Sequence, residues 1–71
     1  MTNIVLDRIV TLASRGYNIR FTPFFSKDAI EILVIKNNLR AAQVVTIEEI
    51  ERSKFEVVLY AINRLANLVD A

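Results

Sequence analysis

The stretch Ile30-Glu31-Ile32-Leu33-Val34-Ile35-Lys36-Asn37-Asn38-Leu39-Arg40-Ala41-Ala42-Gln43-Val44-Val45 decides the fold. Strict alternation of apolar and polar residues would mark a strand with one wet face. Here Ile30, Ile32, Leu33, Val34 and Ile35 fall on both faces, so residues 29–36 read as a central strand covered on both sides. Asn37-Asn38 is a two-residue hairpin turn, because Asn tolerates positive φ. Residues 39–45 return as the next strand.

Upstream, residues 17–25 alternate. Tyr17, Ile19 and Phe21 share one face, and Asn18, Arg20 and Thr22 share the other. This is a strand with one wet face. Pro23 lacks an N–H, which places the strand at an edge or ends it there. Ser26, Lys27 and Asp28 make the turn into residues 29–36. Residues 3–15 precede all this as a helix capped by Thr2 or Asn3, with Val5, Leu6, Ile9, Leu12 and Ala13 on one face. Arg15 suits its negative end, and Gly16 the left-handed position that closes it. Downstream, Thr46-Ile47-Glu48-Glu49 is a capping box, with Val45 placed to staple onto Ile50. Ser53-Lys54-Phe55-Glu56 repeats that pattern. Residues 47–70 are therefore either one helix or a short turn over 47–52 followed by a long helix over 54–70. The order is helix, three-stranded antiparallel meander, helix: an α+β fold with its helices on one sheet face.

The whole chain of 71 residues suits a single domain. A domain of this size buries only about 60% of its unfolded surface and is marginal alone. It has no Cys and no His, so disulfides and the common zinc sites are excluded, and no cofactor or metal is expected. The hydrophobic fraction of 54% exceeds what such a small interior can hide, which points to surface intended for a partner. Net charge is +1, too balanced to imply nucleic acid or membrane by itself. Met1 leads directly into Thr2 and Asn3 with no basic n-region, and the longest apolar runs are far short of a membrane span. A cytoplasmic location, host cytoplasm for a viral protein, is expected.

Two surfaces are left over. In the last helix, Phe55, Val58, Leu59, Ile62, Leu65, Ala66 and Val69 form the stripe that should cover the sheet. Val57, Ala61 and Leu68 form a second apolar stripe on its flank, for the first helix or for a second copy. In the sheet, a three-residue turn at Ser26 to Asp28 would point Ile19, Phe21, Leu33, Ile35, Ala42 and Val44 inward. Ile30, Ile32 and Val34 would then lie outside, and one residue of slip reverses that assignment. The candidate interface is thus Val57, Ala61, Leu68, Ile30, Ile32 and Val34, and the expected state is a homodimer.

Catalytic chemistry finds no carriers. Without Cys or His there is no thiol nucleophile and no imidazole base. Glu48, Glu49 and Glu51 cluster where acidic residues favour a helix start. The single Gly excludes a glycine-rich phosphate loop. The best rival to protein binding is a nucleic-acid surface of Arg20, Lys36 and Arg40 with Tyr17 and Phe24.

The succession from Asn3 to Ala66 resembles small phage and prophage proteins. The opening helix, the strand Tyr17-Asn18-Ile19-Arg20-Phe21, the segment Ile32 to Asn38 and the helix around Lys54-Phe55-Glu56 carry the likeness. The layout is similar to that of some anti-CRISPR proteins that inhibit Cas9. Those inhibitors are typically acidic DNA mimics and this chain is not acidic, so the resemblance implies origin more than target. It implies a non-enzymatic viral accessory or anti-defence protein that binds a host protein or a small signalling ligand.

Overall fold

The computed structural model describes residues 3–70. The elements are α1 (Ile4–Ser14), β1 (Asn18–Phe24), a 3₁₀ turn (Phe25–Lys27), β2 (Ala29–Lys36), β3 (Leu39–Thr46), α2 (Ile47–Ser53) and α3 (Glu56–Val69). The strands form one antiparallel sheet in the order β1-β2-β3. The molecule measures 31 × 31 × 16 Å, thin enough for one helix layer on one sheet layer.

Local chemistry sets the boundaries. The Asn3 side chain accepts a hydrogen bond from the Leu6 N–H and caps α1. Gly16, at φ +92°, closes that helix. Asn37 and Asn38, at φ 51° and 70°, make the tight β2–β3 turn. The capping box is complete. Thr46 Oγ1 accepts from the Glu49 N–H, and the Glu49 carboxylate accepts from the Thr46 N–H. Residues 47–70 are two helices. The chain breaks at Lys54 and Phe55, both left-handed at φ 55° and 72°. Contrary to the second capping pattern, Ser53 ends α2 and Phe55 is the N-cap of α3 without a side-chain cap; the Ser53 hydroxyl still accepts from the Val57 N–H at 3.1 Å.

The core lies between the sheet and α3. Val58, Ala61, Ile62, Leu65, Ala66 and Val69 of α3 are buried against Ile32, Val34 and Val45, with Leu12, Tyr17 and Ile50 closing the sides. Each Val, Leu or Ile among them contributes roughly 1.5–3 kcal/mol when fully removed from water. Phe55, by contrast, is exposed and Leu59 only half-buried, so the covering stripe begins at Val58. On α1, Leu12 is buried and Val5 and Ile9 pack against the core, whereas Leu6 and Ala13 are exposed.

The facing of β2 reverses the expectation drawn from a three-residue turn. The β1–β2 connection holds four residues, the 3₁₀ turn plus left-handed Asp28, so Phe24 pairs with Ala29. Ile19 then lies opposite Val34, and Phe21 opposite Ile32. Ile32 and Val34 have no exposed surface, and Ile30 packs against the core. The open face instead carries Leu33, Ile35, Ala42 and Val44. Glu31 is the physical reason. It shares a face with Leu33 and Ile35, and the opposite register would push its carboxylate under the helices without a partner.

Thr46→Ala should lower stability by about 0.5–2 kcal/mol in urea unfolding, since one helix amide loses its acceptor. Lys54→Gly should raise it by up to about 1 kcal/mol, because glycine occupies the left-handed position without a Cβ clash.

Candidate binding surfaces

Arg8 of α1 donates from Nε to Asn63 Oδ1 of α3 at 2.6 Å. On one side of this tie the two helices leave a gap. The result is a groove of about 900 Å³ between the first half of α1 and the α2–α3 elbow. Ile32, Val45 and Val58 form its floor, and Ile4, Leu6, Phe21, Phe55 and Tyr60 stand exposed along its walls. Asn3, Lys54 and Glu56 are its polar members. Every residue of the floor is aliphatic, so the floor offers a ligand no hydrogen bond from a buried side chain. Phe55, 59% exposed, holds a left-handed conformation that a bulky residue rarely adopts. Such strain persists where surrounding structure enforces it.

The second surface is the far flank of α3. Asn63 faces α1, whereas Arg64, its neighbour around the helix, donates from Nη1 to Gln43 Oε1 of β3 at 2.8 Å. The flank of Val57, Ala61, Arg64 and Leu68 therefore borders the β3 edge, and α1 does not cover it. Ala61 is buried, Val57 half-buried and Leu68 53% exposed. Of the six residues expected at an interface, Leu68 is fully available and Val57 partly so. Ala61, Ile32 and Val34 belong to the core, and Ile30 is packed on it.

The third surface is the open sheet face. Arg20 lies opposite Leu33 and Arg40 opposite Ile35, so the two guanidinium side chains flank an apolar centre from the two edge strands. Lys36 does not join them. The register puts Lys36 on the helix side, where its Nζ binds Asp70 Oδ1 at 3.1 Å and sits 4.4 Å from the Tyr17 ring centroid. Tyr17 is buried, with its hydroxyl donating to Asp70. The sequence-predicted basic cluster is thus split between two faces; of its two aromatics, Tyr17 is core, whereas half-buried Phe24 falls on the strand face of Arg20. What sequence reading missed was the groove. Its signal lay in α1, where Ile4, Val5, Leu6, Ile9, Val10 and Leu12 exceed what one helix face can bury.

Comparison with protein-family models, with curated proteins and with solved structures finds no match for this chain. Among the described residues no cluster of His, Cys, Asp or Glu could hold a metal ion, and no helix is long and apolar enough to cross a membrane.

The Tyr17–Asp70–Lys36 cluster ties the end of α3 to the sheet. The Tyr17 hydroxyl, and then Lys36, hold Asp70 below the ordinary carboxylate range. The hydrogen bond to Asp70 holds Lys36 above the ordinary lysine value. A depressed carboxylate contributes stability above its unfolded value of about 3.9, lost as pH falls through the lower folded value. A raised lysine contributes stability below about 10.4, lost as pH rises through the folded value. In Asp70→Asn the melting midpoint should fall less between pH 5 and pH 2 than in the parent chain. Parallel curves would show that other carboxylates carry the acid response.

Proposed function

We propose that this chain is a non-enzymatic binding protein whose groove between α1 and the α2–α3 elbow takes an apolar face of a host protein, in the manner of an amphipathic helix laid in a groove. The observation that carries this reading is the composition of the groove. Five large apolar side chains stand exposed on its walls above an apolar floor. Each that a partner fully covers is worth roughly 1.5–3 kcal/mol. A small signalling ligand is the weaker choice. Such ligands are usually polar, and discrimination among them needs buried donors and acceptors. The likeness in element order to phage accessory and anti-defence proteins supports a viral role in the cytoplasm of a host cell. The size of the domain and its apolar excess support a homo-oligomer.

A nucleic-acid surface remains the second reading, because Arg20 and Arg40 share the open sheet face. Two arginines neutralise few phosphates, and binding should then be weak at physiological salt.

The immobilised chain, its Leu6→Glu variant and its Leu33→Glu variant can be exposed in parallel to bacterial lysate and the eluates read by mass spectrometry. Leu6 lines the groove and Leu33 lies on the opposite sheet face. We expect a protein enriched by the parent and by Leu33→Glu, and reduced at least tenfold by Leu6→Glu. Capture indifferent to Leu6→Glu would sink the groove reading. Filter binding to single-stranded DNA and RNA should show no tight complex; submicromolar, steeply salt-dependent binding lost in Arg20→Ala would promote the second reading.

A further inference from the structure

β3 is an edge strand that, Arg40 apart, lacks the devices that usually protect one. It pairs with β2 continuously from Leu39 to Thr46 with no bulge. It contains no Pro, and after Arg40 it carries no charge. The other edge, β1, has Pro23. The direction of the free backbone groups of β3 follows from its turn. In a two-residue hairpin the closing pair, here Lys36 and Leu39, exchanges hydrogen bonds, and bonded pairs then recur at every second residue. The Ile47 N–H donates to the Asp28 carbonyl at 2.8 Å, in the same alternation. Leu39, Ala41, Gln43 and Val45 therefore direct their backbone groups to β2. Arg40, Ala42 and Val44 direct theirs outward.

We propose that a second copy of this chain occupies this edge, β3 against β3 in antiparallel pairing, about a two-fold axis perpendicular to the sheet. This rests on the homo-oligomeric part of the reading above and supplies its interface. A two-fold at Ala42 or at Gln43 brings outward backbone groups together and keeps all helices on one side of a continuous sheet. In either register Arg40 lies opposite Val44 or Thr46 and never opposite its own copy. The helix layer matches. α3 lies over β2 and β3 about equally, so its axis sits about one strand spacing from the two-fold. The two α3 helices then run about 10 Å apart, two spacings of about 4.8 Å, at the distance of packed helices. The flanks that meet are those of Val57, Ala61 and Leu68. A foreign strand would satisfy the β3 edge but would leave Leu68 in water. One repulsion is built in: Arg64, held by Gln43 near the axis, faces its copy. Self-association should therefore tighten with salt.

Three variants test this by sedimentation equilibrium. The parent should run at twice 8.1 kDa. Ala42→Pro removes an outward N–H that the β2–β3 ladder does not use, and should weaken the dimer at least tenfold while circular dichroism stays that of the parent. Leu68→Glu should weaken it similarly, and Leu6→Glu, in the groove, should not. The chain has no Cys, so a short bis-maleimide should link Ala42→Cys into dimers and leave Thr22→Cys, on the other edge strand, single. That arm stands even if Ala42→Pro unfolds. A parent that stays monomeric at high micromolar concentration overturns both this interface and the homo-oligomeric reading. A dimer that Leu6→Glu dissolves, with Ala42→Cys unlinked, overturns this interface alone and puts the second copy in the groove.

Discussion

The carbonyl of Asp28 accepts a hydrogen bond from the Ile47 N–H at 2.8 Å, and Asp28 itself sits in the left-handed region at φ 46°. This residue ends the 3₁₀ turn, leads into β2 and anchors the first turn of α2. Its conformation supplies the fourth residue of the β1–β2 connection, and loop length sets which face of β2 meets the helices. With Ile32 and Val34 inward, α3 finds a flat aliphatic floor and Glu31 stays on the other side. Shifted by one, the same strand would offer the helices a carboxylate, and the core cluster around Ile62 and Leu65 would lose its base.

Much of the fold was legible because it is written locally. The Asn37-Asn38 turn, the capping box at Thr46 and the Gly16 closure each need only a few adjacent residues, and each stands where the pattern put it. Phe55 and Lys54 show the limit. Ser53 signalled a second helix start, but nothing nearby required two bulky residues to turn left-handed. The register of β2 was undetermined from apolar pattern alone, since the strand is apolar on both faces; Glu31 was the neglected clue. The groove was beyond local reading. Its end is set by Arg8 with Asn63, a pair 55 residues apart in sequence. Lys36 was misplaced for the same reason, because its partners Asp70 and Tyr17 come from opposite ends of the chain.

The apolar excess that composition announced is divided unevenly. α3 and the inner sheet face absorb the part that stabilises the monomer. The remainder collects on the α1–elbow groove, the α3 flank and the open sheet face, with Arg20 and Arg40 at the rim of the last. None of these surfaces contains a buried polar side chain among the described residues. A partner bound there would be recognised by shape and desolvation, and specificity would fall to residues at the rims, such as Lys54 and Glu56 beside the groove.

Pro23 bears on how large an assembly can grow. A sheet edge that accepts one strand creates a new edge wherever the added strand is itself unprotected, and repeated addition yields fibres. If β3 is consumed in a symmetric pair, both outer edges of the product are β1 strands, each interrupted by a residue that cannot donate. Addition then stops after one step. A single imino acid on the strand that does not pair would act as the chain terminator for the one that does, separating a closed particle from an open polymer.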